Sequence, residues 1–402
     1  MALTVALAEA LAAPPGQALL AELTTRLAAG EPELRVATEL RARHEAALVA
    51  AAAEQVELRG RAAGKLAAAG SLLLTRDGLE QASSERVARW RARRLVASVP
   101  PGAPLADLCC GIGGDLVTIG RQAGRPVLGV DRDPVHLRLA AHNAAVHGVA
   151  AELVESDVRA MALPPDAVAL VDPARRSGGR RGGYEPPLAW CAGLAERVGG
   201  VVVKAAPGLD AGEVPPGWEM ELVADRRELK EAVLWSPALA TAARRASVLP
   251  AEASIAGDPA RQPAVPVRPP GPYLLDPSPA VTRAGLVEQL AAGLGAWKVD
   301  DRVAFLCSDE PVRTPFARCL RVEASLPWHP RRLAAALREL DVGSVDVRRR
   351  GLAGDVDDIR RRLRLSGSRR AVVAMTRVAD RPWAFVATAV DDAPSGPAGS
   401  VW

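Results

Sequence analysis

The 402-residue chain carries 51 Lys and Arg against 47 Asp and Glu, a net +4, with 49% apolar and 24% charged residues, which excludes a disordered chain. Its apolar runs fall short of the roughly 18 residues a membrane helix needs, and Met1–Pro15 lacks a basic start and is interrupted by Glu9, so neither a membrane span nor a signal peptide is expected. Five cysteines with no C-x-x-C pair exclude a disulfide scaffold and a cysteine zinc site and suit a reducing cytoplasm.

The length predicts two or three domains. Residues 1–98 read as a helical N-terminal segment, rich in Ala, Leu, Glu and Arg and punctuated by Gly30, Gly60, Gly64 and Gly70. Thr75-Arg76-Asp77-Gly78 breaks the pattern with a turn signal. A further helix is expected from Ser83-Ser84 through Leu95, stopping before Pro100-Pro101. From 99 to 250 the texture changes to short β-rich runs alternating with helical stretches. The runs are Leu105–Cys110, Val127–Val130, Glu152–Val154, Val168–Val171, Val201–Val203, Glu221–Val223 and Ala232–Trp235. Buried strands separated by helices mean βαβ units and a parallel sheet. The last two runs are joined too closely for a crossover helix, which predicts an antiparallel hairpin at one edge.

Residues 236–272 hold few periodic features, and 251–272 read as a Pro-rich linker. A second, smaller α+β domain is expected over 273–392. Its helices are placed at 281–294, 330–340 and 356–363, and its strands at 303–306, 344–348, 371–376 and 383–388. The tail after 390 is rich in small residues.

The chemistry concentrates in Leu105-Ala-Asp-Leu-Cys-Cys-Gly-Ile-Gly-Gly-Asp115. A strand runs into a glycine-rich turn and then a helix, so bare backbone and free N–H groups can approach a ligand. Asp131, twenty residues after Gly111, ends the second strand, where a carboxylate can accept both hydroxyls of a ribose. Asp157 follows the third strand. The dinucleotide pattern G-x-G-x-x-G fails because Leu116 replaces its third glycine. Asp107 and Asp115 flank the turn, where they would repel a diphosphate but suit an ammonium or a sulfonium.

DLCCGIGGD, GVDRDP, ESD and VDPARR, in that order, resemble the ordered motifs of class I S-adenosylmethionine-dependent methyltransferases. More closely, the chain resembles a bacterial group of these enzymes with a THUMP-like C-terminal domain. That likeness extends through TRDGLEQAS (75–83), VKAAPG (203–208), PYLLDPSPAVTRAGLV (272–287), TPFAR (314–318) and RRGLAGDVDDIRRRLRLSG (349–367). The DLCCGIGGD region with the preceding SSERVARW is also similar to cap-trimethylguanosine synthases. The resemblance implies an α/β fold with a Rossmann-like seven-stranded methyltransferase sheet, and S-adenosylmethionine as cofactor. It implies that Asp107, Gly111 and Gly113 hold the methionine end, that Cys109 also lies at the cofactor, that Asp131 binds the ribose, and that Asp157 approaches the adenine amino group. Asp172, Pro173 and Arg175 then occupy the catalytic motif at the end of the fourth strand.

The motif departs from the family pattern. Ala174 and Arg175 stand where amino-methyltransferases carry a second proline and an aromatic. Arg175 and Arg176 can stack on a base or pair a phosphate, and Tyr184 is a substitute stacking surface. The D-P-x-R form also resembles uracil-C5 RNA methyltransferases, which need a cysteine nucleophile; Cys191 is read as core. Lys204 sits at the functional rim of the fifth strand. His136, His142 and His147 lack metal-ligand spacing.

Residues 312–382 hold 17 arginines against eight acidic residues. Clusters around Arg349, Arg361 and Arg369 suit phosphate contacts, with a smaller basic site expected on Arg86, Arg89, Arg91, Arg93 and Arg94. Together with these clusters, the resemblance implies a cytoplasmic enzyme that methylates a base nitrogen of structured RNA, tRNA or rRNA, without membrane or metal. The alternatives are a small-molecule methyltransferase and a non-catalytic RNA-binding protein that keeps the fold.

Overall fold

A computed structural model describes residues 3–175, 183–352, 361, 363 and 365–390. The chain divides into two compact units, Met1–Glu219 with Ala232–Thr241, and Met220–Glu231 with Ala242–Trp402. Among the described residues no helix is long and apolar enough to cross a membrane.

The first unit opens with helices α1 (Val5–Ala12), α2 (Pro14–Ala28), α3 (Glu33–Arg41), α4 (Ala46–Ala62), α5 (Arg76–Gln81) and α6 (Glu85–Ala97). α5 starts at Thr75, whose hydroxyl accepts the Gly78 N–H at 3.0 Å. α6 buries Val87, Ala88, Ala92 and Leu95 along one face; each large apolar side chain so buried contributes roughly 1.5–3 kcal/mol. Ser84 stands at the start of α6 as expected, but its hydroxyl makes no capping bond.

The alternation of strands and helices follows. β1 (Leu105–Leu108), α7 (Gly114–Ala123), β2 (Val127–Asp131), α8 (Pro134–Val146), β3 (Ala151–Glu155) and β4 (Val168–Val171) come first. A two-stranded ribbon of β5 (Ala174–Arg175) and β6 (Tyr184–Glu185) precedes α9 (Leu188–Ala195) and β7 (Gly200–Ala205). β8 (Glu219–Asp225) and β9 (Glu228–Trp235) pass through the unit boundaries. Within the first unit the strand order is β9-β7-β4-β1-β2-β3. All neighbours are parallel except β9, which runs antiparallel to β7. The order reverses between β1 and β4, and a ligand crevice opens beyond the carboxyl ends of strands at such a point. The helical segment shares its core with this layer: Leu11, Leu20, Leu40, Leu58 and Leu73 pack in one cluster with Ile112 of the glycine turn and Leu139 of α8.

In the second unit β10 (Arg244–Leu249) and β11 (Ala253–Gly257) give the order β11-β10-β8-β9. The β8–β9 hairpin is present, with Arg226 at φ +59° in its turn, but it is not an edge. β10 pairs parallel with β8, and β11 pairs antiparallel with β10. Both strands fall in the stretch read as featureless. Ala253, Ser254 and Gly257 are poor strand formers, and the strand rests on backbone pairing with β10.

The remainder forms a second sheet from β12 (Tyr273–Pro277), β13 (Trp297–Lys298), β14 (Leu306–Ser308), β15 (Ala317–Pro327), β16 (Val342–Arg349), β17 (Arg369–Val378) and β18 (Arg381–Ala389), in the order β13-β14-β12-β15-β18-β17-β16. Its helices are α10 (Pro279–Ala284), α11 (Val287–Leu294) and α12 (Pro330–Glu339). The single helix expected over 281–294 is two, broken at Gly285 (φ +71°). The strand expected at 303–306 begins only at Leu306. β17 alternates between two cores, Val372 and Ala374 against Phe305 and Phe385, and Val373 and Met375 against Leu333 and Leu337 of α12. The helix expected at 356–363 lies almost wholly outside the described residues.

Candidate active site

β1, β2, β4 and β7 end together around the glycine turn. Three residues of that turn are left-handed: Cys109 (φ +63°), Gly111 (φ +52°) and Gly113 (φ +85°). At Gly111 a Cβ would project into open space, so glycine leaves bare backbone at the mouth of the crevice. Asn143 of α8 fixes the turn from beneath. Its Nδ2 donates to the Ile112 carbonyl (2.9 Å) and the Leu73 carbonyl (3.0 Å), and its Oδ1 accepts the Leu73 N–H (2.9 Å).

Asp131 ends β2 beside this turn. Its oxygens accept the Gly111 N–H at 2.8 Å and the Asp133 N–H at 2.9 Å. Burial pushes its pKa up, but the His136 ring 3.9 Å away and these two backbone hydrogen bonds outweigh it and hold the carboxyl below the usual range. Each oxygen keeps acceptor capacity for a further donor.

Asp107 is fully buried, and among the described residues its carboxylate oxygens meet no side-chain donor; the Leu116 backbone N–H opposes its burial only weakly. Burial, with the charges of Asp115 and Asp172, drives its pKa well above the carboxylate range. A buried carboxylate without a partner is costly unless a cation or donor meets it. The surrounding charges agree: Asp107, Asp115 and Asp172 face only two cations, Lys204 and Arg91, so an incoming positive charge would favour the ionised form of Asp107. S-adenosylmethionine, with an ammonium, a sulfonium and one carboxylate, brings a net positive charge.

Asp172 follows β4, and its N–H bonds the Leu108 carbonyl at 3.1 Å. The register pairs Val171 with Val203, which brings Lys204 of β7 alongside: Lys204 Nζ lies 2.6 Å from Asp172 Oδ2 and 3.8 Å from Asp115 Oδ2. Burial raises the Asp172 pKa, and Lys204 opposes it. The side chain still keeps 32% of its surface exposed, so it is within reach of an acceptor. Pro173 is buried.

The expected residues do not all join this cluster. Asp157 is exposed and engaged by Arg159, which donates its backbone N–H (2.9 Å) and its guanidinium (2.6 Å), bringing the carboxyl to about 2. Arg159 also reaches Glu185 at 2.9 Å. Tyr184 is half-buried, and its hydroxyl accepts the Ala206 N–H at 3.0 Å. Arg175 contributes backbone to β5, and Arg176 lies outside the described residues. Arg349, exposed at the end of β16, and Arg361, also exposed, belong to the second unit. The Cys109 thiol is pushed up to about 12 by burial and the nearby carboxylates, and Cys191, fully buried, to about 12 by burial; both stay protonated at neutral pH. Among the described residues no cluster of three His, Cys, Asp or Glu could hold a metal ion.

Two residues of the expected α6 basic face turn inward. Arg91 is 1% exposed and pairs with Asp115. Arg94 pairs with buried Glu219 at 2.7 Å and lies 4.0 Å from the Trp235 ring centre. A signal was available: Arg91 shares the helical stripe of Val87, Ala88 and Leu95, where a solvated arginine does not belong.

Family profiles match three stretches. Residues 103–162 match an RNA cap guanine-N2 methyltransferase profile, residues 317–389 a THUMP domain-like profile, and residues 4–62 a domain of unknown function. Over 345 residues the chain is 41% identical to an uncharacterized S-adenosylmethionine-dependent methyltransferase of Mycobacterium tuberculosis, in strains CDC 1551 and H37Rv, covering 81% of this chain and 92% of the relative. A solved Porphyromonas gingivalis W83 protein, assigned as a methyltransferase, shares the fold with a TM-score of 0.73 at 21% identity, over 87% of this chain and 92% of that one.

Proposed function

The chain belongs to the S-adenosylmethionine-dependent methyltransferases, and we propose that it methylates a base nitrogen of structured RNA, a tRNA or an rRNA. The observation that carries the catalytic part is Asp172, held by Lys204 at the end of β4 and only half-buried. When bound, S-adenosylmethionine supplies a methyl group already activated on sulfonium. The chain has to bind, align and accept a proton. Asp107 would take the ammonium, and Asp131 the ribose hydroxyls. Asp172 accepts a hydrogen from the acceptor nitrogen and orients its lone pair, and Lys204 opposes the rise that burial imposes on that carboxyl. Tyr184, anchored by Ala206, supplies the ring surface that the motif lacks after Pro173.

RNA is supported by the family described for residues 103–162, by the THUMP-like match, and by the surplus of arginine over 312–382. In this division of labour the methyltransferase domain over 99–250 carries the chemistry and the basic domain over 273–392 binds the substrate. The five free cysteines support a cytoplasmic setting. One observation favours a small-molecule acceptor instead. Arg350 is engaged by Asp276, and Arg318 and Arg348 by Asp346, so at least three of the 17 arginines over 312–382 are paired within the protein.

The test is transfer of radiolabelled methyl from S-adenosylmethionine to size-fractionated RNA from a strain lacking the gene. Label is expected in one fraction and should fall by roughly a hundredfold or more with Asp172→Ala, while cofactor binding persists. No label in any fraction, with binding intact, would move the acceptor to a small molecule.

A further inference from the structure

Lys204 stands between two carboxylates, 2.6 Å from Asp172 and 3.8 Å from Asp115, and its stem is flexible enough to serve either. The sharing is set from outside the pair. Asp115 lies in the first turn of α7, and its other oxygen, Oδ1, accepts a guanidinium hydrogen bond from Arg91 of α6. Arg91 is 1% exposed and also reaches the Ser83 hydroxyl at 3.3 Å. Lys204 in turn approaches the Gln81 carbonyl at 3.4 Å. Residues 81–83 thus touch both cations of the chain Arg91–Asp115–Lys204–Asp172.

We propose that Arg91 is a positioning residue: by holding Asp115 it commits Lys204 to Asp172. This rests on the reading that Asp172 orients the acceptor. An arginine buried on the apolar stripe of α6 is costly unless paired, and it supplies the charge that Asp115 would otherwise draw from Lys204. Without it, two carboxylates compete for one ammonium, and Asp172 loses the partner that opposes its burial. Arg91 acts on Asp107 only through Asp115 and Lys204, so the larger defect falls on the acceptor end, where Lys204 contacts Asp172 directly.

The chain has only four lysines, Lys65, Lys204, Lys230 and Lys298, so ammonium NMR of the whole protein is readable, with Lys204 assigned by Lys204→Met. The coupling is measured as the displacement of the Lys204 signal caused by Asp172→Asn. That displacement is expected to fall at least about twofold in the Arg91→Met background and to return in Arg91→Met/Asp115→Asn, where the competing charge is gone. Arg91→Gln, which keeps a hydrogen bond to Asp115 without the charge, carries the test if Arg91→Met does not fold. An unchanged displacement in the folded variant would overturn the proposal and reduce Arg91 to a packing role. Asp172→Asn separates the two ideas: full methyl transfer by that variant would sink the reading of Asp172, whereas the NMR coupling judges Arg91 alone.

Discussion

A buried carboxylate met by no cation of its own is unstable in the free protein and useful in the bound one, and Asp107, opposed only weakly by the Leu116 N–H, is in that position. Its folded-state pKa is raised, so the folded state binds more protons than the unfolded one. The contribution of this group to stability is therefore highest at low pH and falls as pH rises above the ordinary carboxylate value. Asp107→Asn should raise the stability of the free protein at neutral pH, by the order of 1 kcal/mol. The same change should weaken S-adenosylmethionine binding roughly 10- to 100-fold, since hydrogen bonds to charged groups are worth about 1.5–3 kcal/mol. Melting curves and calorimetry read the two effects, and an unchanged affinity would remove Asp107 from the cofactor's partners. Much of this site was legible because a glycine turn after a strand ties its neighbours to known places: Asp107 before it, Asp131 at the next strand end, Asp172 at the fourth. Arg91 was misread because a run of arginines invites a surface reading, and only helical phase separates the inward one from Arg89 and Arg93.

At the scale of elements, α8 carries a second lesson. Asn143 binds the extended stretch around Leu73 and the Ile112 carbonyl, all buried. Asn143→Ala leaves the Leu73 N–H and two carbonyls without partners. It should cost about 2–4 kcal/mol by denaturant midpoint and loosen the turn that holds the cofactor. A loss below about 0.5 kcal/mol would show that water replaces the amide at no cost. Nothing in the sequence marked Asn143, because its partners lie 31 and 70 residues away and an asparagine inside a helix has no local signature. The strands divide in the same way. β1, β2, β4 and β7 are continuous Val- and Leu-rich runs buried on both faces, and they were legible. β15 is half-exposed and interrupted by Arg318, Arg321 and Glu323, so its strand character comes from pairing with β12 and β18. The same holds for β11, which has little apolar surface of its own.

At the scale of the whole molecule, composition showed that charge is segregated but not which charges are free to meet a partner. The helical segment illustrates the limit from the apolar side. Its leucines share one core with Ile112 and Leu139, so deleting residues 1–62 should expose that core and abolish cooperative unfolding of the first unit; a sharp melting transition after deletion would show that the unit stands without it. The arginines illustrate the limit from the charged side. Arg349 and Arg350 are adjacent in sequence and opposite in role. Arg350 donates to Asp276 at 2.9 Å, to the Pro277 carbonyl at 2.9 Å and to Thr282 at 3.0 Å, and Asp276 is 2% exposed. Arg349 is exposed at the end of β16. Arg350→Ala should therefore destabilise the second unit by about 1–3 kcal/mol, since its hydrogen bonds to Asp276, Pro277 and Thr282 are lost while Arg227 still pairs with Asp276. Arg349→Ala should leave stability within about 0.5 kcal/mol. If the second unit binds RNA through its exposed arginines, Arg349→Ala and Arg361→Ala should each lower the slope of log affinity against log salt by about 0.7 to 0.9 for every phosphate left without its arginine. Slopes equal to wild type in both variants would place RNA binding on other residues, or remove RNA as the substrate.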